Sequence, residues 1–125
     1  MTYNVDMLWI SGFLAKIVFR IIRIFHLGNG YTWPGYLVSK IFPNVWSSLD
    51  SVFPKGVIFV SGTNGKTTSV KLLTHILTES GFSVTTNASG ANLAHGILTS
   101  ILLSVNCKGR ISSDFGVFEV DELNL

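Results

Sequence analysis

One run in this chain has residue types and spacing that specify a chemistry: Gly62-Thr63-Asn64-Gly65-Lys66-Thr67-Thr68. Glycines let a backbone wrap closely around phosphate, and successive N–H groups at the start of a helix supply positive potential to hold it. Lys66 adds a mobile full charge for the outer phosphates, and the Thr67 hydroxyl is placed to ligate Mg²⁺. Val60 stands where the strict pattern G-x-x-x-x-G-K-[ST] has its first glycine, so the loop is a variant of that pattern. The bland alternative is a tight turn with an incidental lysine.

A second candidate is Glu119, at the end of the apolar run Phe115 to Val120. Ligands of open α/β sheets bind outside the carboxyl ends of the strands, where a carboxylate can reach a phosphate-bound Mg²⁺. The alternative is a strand-end acid facing water. Asp121 and Glu122 are open to a metal role or to capping a following helix. The loop Thr86-Asn87-Ala88-Ser89-Gly90-Ala91-Asn92 leaves a second strand and shares the rim, but small polar residues fill most loops. His95 is placed on that rim only by position. His75 reads as structural and Cys107 as an inert small residue.

These residues need elements to hold them. Val57-Ile58-Phe59-Val60 is a short, branched, continuous apolar run, as in a parallel strand covered on both faces. The loop Ser61 to Lys66 follows, then a helix over Thr67 to Ser80, with Val70, Leu73, Ile76 and Leu77 at helical spacing and Gly81 as its stop. Phe82 to Thr86 reads as a second strand, Gly96 to Val105 as a second helix, and Phe115 to Val120 as a third strand. Strand, helix, strand, helix, strand predicts an α/β fold built on a partial parallel sheet, preceded by an N-terminal helical segment.

The front of the chain differs. Leu8 to Phe25 is apolar but too short and too charged for a spanning helix, and its cations lie inside the apolar block rather than before it, unlike a signal peptide. Gly12, Lys16, Arg20 and Arg23 share one helical face, while Ile10, Leu14, Ile17, Val18, Ile21 and Phe25 form the other. Two readings stand: the aliphatic face packs on the domain with the cations in water, or the helix lies on a membrane surface. Two glycines and a proline in Leu27 to Pro34 break this helix; Tyr36 to Phe42 suggests a short helix before Pro43, and Val45 to Pro54 is a connector.

Composition narrows the function classes. At 125 residues, 47% hydrophobic and 13% charged, the chain is one domain or a piece of a larger one, and too apolar to stay disordered. A net charge of +2 without a dense basic run argues against nucleic acid as partner. The single cysteine excludes an internal disulfide framework and suits a reducing compartment.

SGTNGKTT after an apolar strand resembles the nucleotide loop of the Mur ligases and folylpolyglutamate synthases. GNGYTWPG before it, TTNASGANLAHGI after the second strand and VFEVDE at the third narrow the resemblance, over residues 20 to 125, to the MurT family of lipid II isoglutaminyl synthase subunits. The residue pattern gives 1–54 as an N-terminal amphipathic helix and connector, and the resemblance implies 55–125 as the first part of an ATP-binding Mur ligase central domain of P-loop type. It implies an ATP-dependent carbon–nitrogen ligase of peptidoglycan synthesis. ATP would phosphorylate the D-glutamate α-carboxyl of lipid II, and ammonia from a GatD-type glutaminase would displace the phosphate. Carried over by position, Gly62, Thr63, Asn64, Gly65, Lys66, Thr67 and Thr68 would hold ATP, Thr67 and Glu119 would hold Mg²⁺, and Lys66 and Glu119 would be catalytic. The location implied is cytoplasmic, with possible peripheral contact at the inner face of the cell membrane. The chain stops just after EVDE, so a fragment inactive by itself is expected. Another Mur-superfamily ligase, or a nucleotide-binding remnant without turnover, are the alternatives.

Overall fold

The computed structural model describes residues 5–28, 30–49, 52–87 and 91–122. In chain order it contains α1 (Val5–Ile24), α2 (Thr32–Ile41), two 3₁₀ turns (Pro43–Val45 and Ser47–Leu49), β1 (Gly56–Val60), α3 (Lys66–Glu79), β2 (Val84–Thr86), α4 (Ala94–Leu103) and β3 (Phe115–Glu119). The fold is α/β, with a small open sheet of three parallel strands in the order β1-β3-β2. α2 starts four residues earlier than its apolar run suggests. Pro34 falls in its first turn, where a missing N–H costs no intrahelical bond.

β3 holds the centre because it is the most uniformly apolar strand, and Val117 and Phe118 are fully buried on its two sides. Side chains alternate along a strand, so Val117 and Glu119 share the face covered by α3, while Phe118 faces the other layer. That layer is helical. α4 packs against β2, and α1 and α2 pack on α4. Leu8, Ala15, Val38, Leu98, Leu102 and Phe118 belong to one hydrophobic core running from α1 to the sheet.

Two expectations are corrected. β1 is an edge strand rather than one covered on both faces: Val57 is 43% and Phe59 59% exposed. Its branched apolar run satisfies strand propensity, and half of its side chains still reach solvent. The faces of α1 also depart from the packing reading, since of the aliphatic face only Leu14 packs against the core cluster among the described residues. Leu8, Ser11, Gly12, Ala15 and Ile22 are its buried residues, while Ile10, Ile17, Ile21 and Phe25 are exposed. Small residues explain the choice. A Cβ on Gly12 would lie 2.9 Å from the Val105 Cβ and 3.2 Å from the Leu102 carbonyl oxygen, so only glycine lets α1 approach the end of α4 this closely. Lys16, expected in water, instead donates to the Val105 carbonyl. Arg20 and Arg23 remain exposed.

The starts of β2 and β3 are tied by a polar clasp. The Ser83 N–H and hydroxyl both donate to an Asp114 carboxylate oxygen, at 2.9 Å each. These bonds hold the Asp114 carboxyl below its ordinary value of 3.8, the Ser83 backbone bond contributing most.

Candidate functional site

Parallel pairing aligns the carboxyl ends of the strands. Val60 of β1 stands level with Glu119 of β3, and Val120 N–H donates to the Val60 carbonyl at 2.9 Å. The chain leaving β1 therefore begins its turn beside the Glu119 side chain. Gly62 and Gly65 carry the turn with φ of 148° and 80°. No atom crowds a Cβ at Gly65, so it is the left-handed backbone itself that selects glycine there. Gly65 is also the N-cap of α3 and has no side chain to satisfy the first helical N–H groups, which stay open to an external acceptor.

Thr63, Asn64, Gly65, Lys66, Thr67, Thr68 and Glu119 line one cleft of about 260 Å³. The Thr67 hydroxyl donates to Glu119 Oε2 at 2.8 Å, joining residues 52 positions apart. The Lys66 ammonium folds back onto the loop and donates to the Gly62 carbonyl at 2.6 Å. The cleft thus combines open helix N–H groups and a lysine, which suit phosphate, with a hydroxyl and a carboxylate, which are hard oxygen donors of the kind Mg²⁺ takes. The residues present fit both groups. Among the described residues Glu119 is the only acid lining this cleft.

Behind Glu119 stands Asn87, which the sequence placed on a rim loop without assigning it a role of its own. Asn87 is buried. Its side-chain N–H₂ donates to the Glu119 carbonyl at 2.9 Å and the Ala91 carbonyl at 2.8 Å, and its Oδ1 accepts from the Glu119 N–H at 2.9 Å. The amide continues the strand pairing where β2 has ended, and so fixes the backbone that carries the carboxylate. Ala88, Ser89 and Gly90 of the same loop lie outside the described residues. The other candidates do not converge. Asp121 donates its backbone N–H to the Asn92 carbonyl, and neither it nor Glu122 lines the cleft. His95 stacks edge-on against Tyr36 at 5.5 Å. His75 is exposed on α3, in a separate groove that also includes Thr67 and Glu119. Cys107 is exposed with a free thiol.

The chain is similar in sequence to curated synthase subunits that share one name. The chain is 36% identical over 99 residues to the Lipid II isoglutaminyl synthase (glutamine-hydrolyzing) subunit MurT of Streptococcus pneumoniae strain ATCC BAA-255 / R6, across 79% of this chain and 21% of that protein. It is 32% identical over 115 residues to the subunit of the same name from Staphylococcus aureus strain N315, across 91% of this chain and 25% of the relative. The match to the subunit from Staphylococcus aureus strain COL is of the same extent, at 31% identity. The chain therefore spans a quarter or less of the length of these relatives. No family profile matches it.

Proposed function

We propose that this MurT-like chain is the nucleotide-binding part of an ATP-dependent carbon–nitrogen ligase acting in peptidoglycan synthesis. One observation carries the reading: the Thr67 hydroxyl and the Glu119 carboxylate meet at 2.8 Å in the cleft where the Gly62–Thr68 loop opens the N-terminus of α3. A phosphate loop needs its metal ligands at that place and in those chemical types. The likeness to MurT subunits supports the reaction class, and the expected domain is the first part of a P-loop Mur ligase central domain.

In the proposed reaction, a carboxylate oxygen of the substrate attacks the γ-phosphorus of ATP. The new O–P bond forms as the bond to the β-phosphate oxygen breaks, giving an acyl phosphate and ADP. Ammonia then attacks the acyl carbon, phosphate leaves, and the amide remains after loss of a proton. The relatives' shared name supports lipid II as substrate and glutamine hydrolysis as ammonia source; the D-glutamate α-carboxyl and a GatD-type glutaminase are the proposed specifics. The first step drives anion against anion, so charge neutralisation is the protein's main task. Lys66 supplies a full positive charge at the loop. Backbone N–H groups from Gly65 onward bind phosphate oxygens and orient them. Thr67 and Glu119 would hold Mg²⁺, which when bound neutralises phosphate charge. Asn87 keeps the Glu119 backbone fixed.

The test is calorimetric titration of the chain with ATP, with and without Mg²⁺. Binding that is strengthened by Mg²⁺ and lost in Lys66→Ala supports the reading. Absence of ATP binding by the folded chain overturns it.

A further inference from the structure

Among the described residues nothing covers the outer face of α1, which presents a run of large exposed apolar side chains. Ile10, Phe13, Ile17, Ile21 and Ile24 recur at steps of three and four, so they form one stripe along the helix. Trp9 stacks on Phe13 with ring centroids 5.8 Å apart and lies beside the stripe. All six side chains are at least 40% exposed, and Ile24 reaches 70%. The helix is fixed from behind, where Gly12 meets Val105 and Lys16 is engaged by the Val105 carbonyl. The stripe cannot turn inward without losing those contacts.

Charge selects the occupant. Arg20 and Arg23 are exposed beside the stripe, and no acid occurs between Asp6 at the helix start and Asp50. Arg23 also lies over the Phe19 ring at 5.8 Å. An aromatic and aliphatic stripe bordered by arginines matches the boundary of an anionic bilayer, where acyl chains meet negative headgroups. No helix among the described residues is long and apolar enough to cross a membrane, so the fitting geometry is a helix lying flat, about 30 Å long at 1.5 Å per residue. We infer that α1 docks this chain onto anionic lipid bilayers through the Trp9–Ile24 face. The inference is independent of the nucleotide reading.

The experiment is co-sedimentation of the full chain with phosphatidylcholine vesicles and with vesicles containing phosphatidylglycerol. Expected is pelleting that requires the anionic lipid and weakens as salt rises. Each of Arg20→Gln and Arg23→Gln should weaken binding about fivefold, the equivalent of about 1 kcal/mol per cation near an anionic surface. The double variant Ile17→Glu/Ile24→Glu should lose binding at least tenfold, since it places carboxylates at the acyl boundary; both sites are exposed, so circular dichroism should match the parent. Lys66→Ala should pellet like the parent. Two results overturn the inference: a parent chain that stays in the supernatant with anionic vesicles, in which case a dimer seen by light scattering gives the face to a second copy, or an Ile17→Glu/Ile24→Glu variant that pellets equally well.

Discussion

The Asn87 side chain grips both backbone groups of Glu119, donating to its carbonyl and accepting from its N–H, at 2.9 Å each way. This pairing decides where the carboxylate sits relative to Thr67, because the strand end can neither slide nor fray while the amide holds it. Asn87→Ala leaves the Glu119 N–H and two carbonyls without their partner in a buried place. A buried unsatisfied group costs about 1–3 kcal/mol. The expected loss is about 2 kcal/mol, read in urea unfolding as a lower midpoint at unchanged slope. A variant as stable as the parent would show that water replaces the amide.

Glu119→Gln separates charge from shape. The Gln carbonyl still accepts from the Thr67 hydroxyl, so the packing of α3 on β3 should survive and the melting temperature should stay close to the parent's. The charge a hard cation prefers is gone. Titration should therefore find metal-free ATP affinity nearly unchanged, with the strengthening by Mg²⁺ largely removed. If the proposed ligase activity is reconstituted with a longer relative, loss of one such electrostatic contact corresponds to about 10²–10³ in rate. Full Mg²⁺ strengthening in the variant would reduce Glu119 to a strand-end acid.

Lys66→Ala tests the phosphate charge. The half-buried side chain donates to the Gly62 carbonyl of its own loop, where solvent can take its place. Stability should change by less than about 0.5 kcal/mol, as for surface changes generally. ATP affinity should fall at least tenfold, and adenosine should bind the variant and the parent alike.

How far these features are legible from sequence follows from their range. The glycine-rich turn into α3 and the three strands were readable because each is local: closely spaced glycines, or a short branched apolar run. The parallel α/β order follows from alternation of strand and helix. Asn87 was not readable as a clamp, since its partner lies 32 residues away and an asparagine in a loop has many ordinary uses. α1 shows a different limit. Periodicity separated two faces but could not say which was inward. In an apolar chain hydrophobicity no longer distinguishes inside from outside, and close approach through Ser11, Gly12 and Ala15 chose the small face. The exposed flank of β1 has the same origin, because an apolar run is compatible with an edge as well as a centre.

Acid stability should depend on Asp114. Its folded pKa is lowered, so its contribution is complete above the unfolded value and is lost as pH falls through the folded one. With an ordinary value of 3.8, the window lies at and below that pH. Asp114→Asn keeps an acceptor for Ser83 but removes the charge. The variant should be less stable than the parent at neutral pH, and the difference should close below the folded value. Urea midpoints measured from neutral pH into that acid range check this. A difference that stays constant throughout would mean that geometry alone sets the clasp.

The packing of α1 makes its smallest buried residue more sensitive than its large exposed ones. Gly12→Ala adds one methyl group where the Val105 Cβ would be 2.9 Å away and the Leu102 carbonyl 3.2 Å. Backbone cannot yield as a flexible side-chain end can, so α1 must lift from α4 and weaken the Lys16 bond to Val105. Overpacking of this kind costs about 1–3 kcal/mol, against a gain of up to about 1 kcal/mol from replacing a mid-helix glycine with alanine. The net expectation is a loss of about 1 kcal/mol, or about 4 °C in melting temperature for a chain of this length. Ile17→Ser removes far more apolar surface, but from an exposed position, and should change stability by less than about 0.5 kcal/mol. Thermal unfolding of the two variants side by side decides the orientation of the helix. If Ile17→Ser proves the more damaging, the stripe is covered in solution and the small face is the outer one.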